Sequence, residues 1–288
     1  MKLSIGTAQF GANYGISNKT GKIGAIEGKK IIDFAESAGI NSIDTAVSYG
    51  DSEKSLGDIG ISKFDVVTKI PSCKVKKNEI FNWVLNEVDN SILRLKQDKI
   101  FGLLVHDTHD LVSDNGHEIF NAMSHLKKTN KVSKIGISAY SPTQILEVTD
   151  RYNIDLVQAP LNILDRRLVE SGCLASLKNK NIEVHTRSCF LQGLLLSDLS
   201  EIPFQFTKWK ELFYSWHNWL KANNKNALQT CLSYPLSIKG IDRVIVGIDS
   251  LKQLKEIFSS RIYNEAFDFP DIHSSDENLI NPMNWKNE

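Results

Sequence analysis

The sequence predicts an α/β protein made of one closed (β/α)8 TIM barrel. Three observations carry this. Short apolar, β-branched segments alternate with longer stretches of helical spacing along almost the whole chain, and such alternation calls for parallel strands, because a hairpin joins only antiparallel ones. Eight such segments fall within roughly 250 residues, the size of one barrel. No Pro/Gly/Ser-rich linker divides the 288 residues, and no G-x-G-x-x-G follows the first segment to support an open doubly wound sheet.

Taken in order, the strands are expected at 3–7 (LSIGT), 42–44 (SID), 64–68 (FDVVT), 101–105 (FGLLV), 133–138 (SKIGIS), 156–158 (LVQ), 182–186 (IEVHT) and 243–246 (RVIV). Most are apolar over several successive positions, as strands covered on both faces should be. Helices are expected between and after them at 27–38, 78–95, 117–128, 142–151, 167–178, 209–222, 225–232 and 251–260. In the 209–222 segment, Trp209, Phe213, Trp216 and Leu220 recur at helical spacing and form a core-facing stripe. The polar stretch from about 267 shows no element pattern and is expected to wrap the barrel or pack at one end through Trp285.

Composition removes several classes of function. Lys+Arg and Asp+Glu are equal at 34 each, so no global field draws in nucleic acid or an anionic membrane. Cys73, Cys173, Cys189 and Cys231 form no CxxC pair, which fits reduced thiols in a cytoplasm. The N-terminus turns polar too soon for a signal peptide, and no run of about 18 apolar residues occurs. The reading is a soluble cytoplasmic protein. His109 and Asp110 lie near His106 in "HDTHD" but with no second ligand cluster, so no metal site is expected.

A barrel of this kind carries its chemistry at the C-terminal ends of its strands. Strand two ends in Asp44 and leads to Tyr49; strand three runs on into Lys69; strand four delivers His106. Taken alone, Asp44 could cap a helix, Lys69 could be a solvated strand end, and Tyr49 and His106 could be packing or rim residues. Their conjunction on adjacent strands, about 4.8 Å apart, points elsewhere. A buried lysine is costly unless paired, and Asp44 is the available carboxylate one strand away. A fixed ammonium beside a phenol favours phenolate and lowers its pKa toward working pH, which makes Tyr49 a candidate general acid.

The segment "DTAVSYGDSEKSLG" closely resembles the D-T-A-x-x-Y-G-x-S-E-x-x-x-G signature of the aldo-keto reductases, and "VVTKI" and "LLVHD" follow in that family's order. The resemblance runs from Ile5 to Gln253. It implies a barrel that binds a nicotinamide cofactor without a Rossmann domain and transfers hydride to the carbonyl of a small molecule. It further implies that Tyr49 donates the proton, Lys69 lowers its pKa, Asp44 holds Lys69 and His106 orients the carbonyl.

By the same resemblance the second half of the barrel holds the cofactor. "KIGISAYSP" places Ser138 against the nicotinamide carboxamide, with Ala139 where the family usually has Asn, and "LVQAP" supplies Gln158 as the other amide partner. After strand seven, Arg187 stands where an aromatic residue usually stacks on the nicotinamide ring. A guanidinium can also stack there, or it can serve a rim salt bridge. After strand eight, Gly247 permits close backbone approach, and Ser250 with Gln253 reads as a capping box at a helix start. Free amides and a positive dipole end there would suit a cofactor phosphate, with Lys252 or Lys255 adding charge. The expected cofactor is NADPH, with NADH the alternative. Asn13 and Tyr14 fall in a loop at the same face. "GTAQFGANYGISNKTG" resembles a subgroup associated with bacterial surface sugars, which points to a sugar-derived aldehyde or ketone. Two rival functions are a Schiff-base lyase with Lys69 as nucleophile and an NADP(H)-binding sensing or scaffold barrel. Oligomeric state has no readable sign in the sequence.

Overall fold

A computed structural model describes residues 1–16, 18, 21–261 and 268–285. Among them, eight parallel strands close into a barrel in chain order: β1 (Leu3–Gly6), β2 (Ser42–Asp44), β3 (Asp65–Ile70), β4 (Ile100–Val105), β5 (Val132–Ser138), β6 (Leu156–Pro160), β7 (Glu183–Arg187) and β8 (Arg243–Gly247). Closure is made by β1 against β8, from Leu3 opposite Val244 to Gly6 opposite Gly247. Each predicted strand is present, and several run one or two residues further toward the C-terminal face. β3 therefore contains Lys69, and β7 ends in Arg187.

The barrel interior is filled in part by Val67, Leu104 and Leu156, which pack on one another apart from the larger core between sheet and helices. Gly102 makes room for them: a Cβ there would lie 3.0 Å from Leu156 and 3.1 Å from Val67. Side chains alternate along a strand, so Lys69 shares the inner side with Val67 two residues earlier. A lysine thus sits directly above a dry apolar layer.

The helices depart from the sequence reading in instructive ways. Helix Ser52–Ile59 lies between β2 and β3, where none was expected, because its buried face is not apolar. It buries Ser52, Glu53, Leu56 and Gly57, and Glu53 is held by Thr68 Oγ1 at 2.6 Å and Arg94 Nε at 2.7 Å. Periodicity of apolar residues cannot reveal a helix packed through hydrogen bonds. The expected helix 167–178 is two, Arg167–Glu170 and Cys173–Asn179, divided where Gly172 takes φ 77°. The 225–232 helix runs instead over Ala227–Ser237. Phe213, Trp216 and Leu220 are buried in helix Lys210–Ala222, and Trp216 Nε1 donates to Leu195 O at 3.0 Å.

The C-terminal stretch has more structure than its composition suggests. Helix Glu277–Ile280 buries Leu279 and Ile280, while Trp285 packs edge-on to Phe206 at 4.8 Å and donates Nε1–H to Leu279 O at 3.1 Å. Ser274 N–H donates to Leu164 O, and Arg167 bridges Asp165 and Glu277, so the tail is tied to the loop after β6. All four cysteines are free thiols. Among the described residues no helix is long and apolar enough to cross a membrane.

Candidate active site

The chain does not leave the barrel at Asp44. Thr45 N–H donates to Val67 O at 2.8 Å and Val47 N–H to Lys69 O at 3.1 Å, so the loop follows β3 and brings Tyr49 over Lys69. Behind the loop, Ser52 Oγ donates to Thr7 O at 2.8 Å, Thr45 Oγ1 to Ser52 Oγ at 3.1 Å and Thr7 Oγ1 to Asp44 O at 2.9 Å. These buried hydroxyls account for the polar positions around Tyr49 in the sequence. Gly11 is required on contact grounds, since a Cβ there would lie 1.6 Å from Tyr49 O.

Lys69 and Asp44 form a buried ion pair. Lys69 Nζ lies 2.8 Å from each Asp44 carboxylate oxygen and 2.8 Å from Thr45 O, with Lys69 0% and Asp44 4% exposed. All three ammonium protons have acceptors. Burial pushes the Lys69 pKa down, and the Asp44 charge opposes it. An ammonium so enclosed is not an accessible nucleophile, and the Schiff-base reading loses its chemical basis.

Tyr49 stands with its ring centroid 5.1 Å from Lys69 Nζ and 5.8 Å from the His106 ring, edge to face. The sequence expects Lys69 to lower the phenol's pKa; in the structure the net shift of the phenol is upward. Burial first and the Asp44 carboxylate second raise the Tyr49 pKa well above its ordinary value, with Arg187 pulling the other way. Burial is the main reason, and the ion pair explains why Lys69 does not offset it: a lysine bound to both oxygens of a carboxylate presents little net charge to its neighbour. His106 is held down to about 4, chiefly by burial and then by Lys69, so its imidazole is neutral at neutral pH. Its Nδ1 lies 2.9 Å from Ser48 Oγ. With the hydroxyl donating, the ring proton sits on Nε2.

Gln158, in the middle of β6, joins this cluster in a way the sequence did not indicate. Its Nε2 donates to Asp44 Oδ1 at 2.6 Å, while Oε1 is buried with no partner among the described residues. An orphaned buried acceptor is costly. It fits an N–H brought by a ligand, as the amide of a nicotinamide carboxamide would be. Ser138 is buried on the neighbouring strand, in register with Gln158. Arg187 lies 4.1 Å over the Tyr140 ring and donates to Ala139 O at 3.1 Å, so Tyr140 covers one guanidinium face. Tyr14 is 45% exposed at the same face and lies close enough to couple electrostatically with Tyr49, Tyr140 and Arg187.

The start of helix Leu251–Ser260 requires a correction. Ser250 Oγ accepts from Gln253 N–H at 3.2 Å, but Gln253 Oε1 takes Asp249 N–H at 2.6 Å in place of the Ser250 amide of a standard box. Leu251 N–H donates to Glu27 Oε1 at 2.8 Å, from helix Ala25–Ser37. Of the amides expected to be free, those of Leu251 and Gln253 are engaged. Lys252 is nearest Glu256 at 3.9 Å and Lys255 lies over Phe34, so neither is aimed at the helix start. Gly247 packs against Gln9, whose Nε2 would be 3.1 Å from a Cβ. Sequence reasoning missed Ser48, Tyr140, Gln9 and Glu27. The first two sit beside motif residues and were findable; Glu27 meets Leu251 across 224 positions and has no local sign.

A closed parallel barrel with a buried lysine–aspartate pair, a tyrosine above it and a neutral histidine alongside defines a class of barrel oxidoreductase. A sequence model of the Aldo/keto reductase family matches residues 2–275. The chain belongs to this family, whose members act on small carbonyl compounds with nicotinamide cofactors. It is 27% identical over 174 residues to "Aldo-keto reductase YhdN" of Bacillus subtilis, covering 57% of this chain and 52% of that protein, so the match spans about half the relative's length. It is 27% identical over 271 residues to "L-galactose dehydrogenase" of Arabidopsis thaliana, covering 88% and 83%. In three dimensions it is similar to an aldo-keto reductase from Bacillus halodurans solved in its holo form, with TM-score 0.72, 22% identity and 90% and 86% coverage.

Proposed function

We propose that this protein is a cytoplasmic NAD(P)H-dependent carbonyl reductase in which Tyr49 is the proton donor. The observation that carries the reading is the Asp44–Lys69–Gln158 assembly beneath Tyr49, fully hydrogen-bonded except for one buried acceptor that suits a ligand amide. A nicotinamide held there would supply the hydride to the carbonyl carbon. As charge builds on the carbonyl oxygen, Tyr49 O–H donates its proton there. A phenol with a raised pKa is fully protonated at neutral pH and still far more acidic than the alkoxide it serves. His106 Nε2–H is a second donor for the same oxygen, oriented by Ser48. Lys69 and Asp44 hold the floor of the site with fixed dipoles, which need no reorganisation during the reaction. Gln158 Oε1 would accept from the carboxamide, with Ser138 beside it on the neighbouring strand, and Arg187 would offer its uncovered face to the ring.

The substrate class is a sugar-derived aldehyde or ketone, a reading supported by the sequence around Tyr14 and by the name of the plant relative, an L-galactose dehydrogenase. For the donor, the sequence favours NADPH, but the groups at the start of helix Leu251–Ser260 favour the dinucleotide without a phosphate. Following the loss of reduced-nicotinamide absorbance with a panel of activated aldehydes, hexoses and keto-sugars tests the reading. Consumption with one or more members is expected. Tight dinucleotide binding with no consumption by any carbonyl would make the protein a binding barrel.

A further inference from the structure

The cradle between β8 and helix Leu251–Ser260 is lined by acceptors. Glu27 holds Leu251 N–H at 2.8 Å, and its carboxylate is the one anionic group bonded to that helix start among the described residues. Beside it, Asp249 Oδ1 and Gln9 Oε1 are both buried without partners, with the Gln9 amide turned to Asp249. Gln9 is only 8% exposed and packs on Gly247, the last residue of β8. Two orphaned buried oxygens at one place point to a ligand that brings hydrogen-bond donors. Loops after the last strands of such barrels, with a helix start beside them, are where cofactor phosphates commonly lie. Here three of the donors that would receive one are already taken: Asp249 N–H by Gln253, Gln253 N–H by Ser250, and Leu251 N–H by the Glu27 carboxylate.

We propose that Glu27 sets the cofactor preference of this protein, with Asp249 and Gln9, and sets it for the unphosphorylated dinucleotide, NADH. The proposal rests on the reductase reading above and goes beyond it. A ribose 2′,3′-diol offers two O–H donors to these acceptors. A 2′-phosphate offers only acceptors and a charge of about −1.5 to −2, set against the Glu27 carboxylate. Lys30, 3.8 Å from the second Glu27 oxygen, is more than half exposed and offsets only part of that charge. Lys252 and Lys255 line the outer groove with Asn226 and Leu228, with Lys252 3.9 Å from Glu256 and Lys255 over Phe34.

The test is binding, read by quenching of tryptophan fluorescence at low salt, with NADH and NADPH titrated into the wild type and Glu27→Gln. The glutamine keeps an oxygen for Leu251 N–H and removes the charge, and far-ultraviolet circular dichroism checks that both proteins are folded. The wild type is expected to bind NADH more tightly than NADPH. In Glu27→Gln, NADH affinity should stay within ~3-fold while NADPH tightens by at least ~10-fold, an effect that shrinks as salt screens the site. Tighter binding of NADPH by the wild type, or a ratio unmoved by the substitution, would overturn the proposal and leave the reductase reading intact. Failure of both dinucleotides to bind would remove the reductase reading itself, and this inference with it.

Discussion

Replacing Lys69 by Met removes an ammonium that meets three oxygens at 2.8 Å inside a site where it is 0% exposed. Asp44 then keeps a single contact, from Gln158 Nε2 at 2.6 Å, and cannot regain water because it is only 4% exposed itself. Stripping one partner from a buried ion pair costs ~3–5 kcal/mol. At about 2–4 °C per kcal/mol for a chain of this size, the melting temperature should fall on the order of 10 °C. Asp44→Asn creates the mirror problem, a buried ammonium facing only neutral acceptors, and should also cost several degrees. The double variant carries no buried charge: the introduced amide oxygen still accepts from Gln158, and the introduced thioether fills the space of the lysine stem. Its loss should therefore fall short of the sum of the single losses by at least ~1–2 kcal/mol. Thermal unfolding of the four proteins closes the cycle, and turnover should be lost in all three variants. Additive losses would refute the claim that the pair behaves as one unit. An unchanged melting temperature in Lys69→Met would refute its burial as a charge.

Tyr49→Phe keeps the ring but removes the proton donor, so kcat for an activated aldehyde should fall at least ~100-fold while dinucleotide affinity stays within ~3-fold, as steady-state kinetics and fluorescence titration will show. Gln158→Met removes the orphaned acceptor and should weaken dinucleotide binding by ~10-fold, read by the same titration; unchanged affinity would put the carboxamide elsewhere. His106 has a folded pKa of about 4, below its ordinary 6.5, so the folded protein takes up fewer protons than the unfolded chain between those values. The stability tied to its neutral form is whole above pH 6.5 and is lost as pH falls toward 4. Urea midpoints of wild type and His106→Gln should therefore converge as the pH is lowered through that window, and parallel curves would place the titration in other groups.

Strand–helix alternation, charge balance and the strand-end residues were readable in the sequence because each is local: a period, a count, or a residue type at the end of an apolar run. Asp44, Lys69, Tyr49 and His106 could be gathered from sequence because β2, β3 and β4 are neighbours in chain order and in the barrel alike. Helix Ser52–Ile59 was not readable, since Glu53 is buried by hydrogen bonds to Thr68 and Arg94 and leaves no apolar period. The sign of the Tyr49 shift was decided only by geometry. A lysine near a phenol lowers its pKa if the charge is free and barely acts if a carboxylate holds it at 2.8 Å on two oxygens. The same holds at the start of helix Leu251–Ser260, where the local pattern of Ser250 and Gln253 describes an open anion site. Closing the barrel sets β1 against β8, and Glu27, on the helix after β1, bonds Leu251 N–H across that seam. Hydrogen bonds and charges act over a few ångströms in space whatever their separation along the chain, so the residues that decide what the cradle can hold became visible only when the fold was closed.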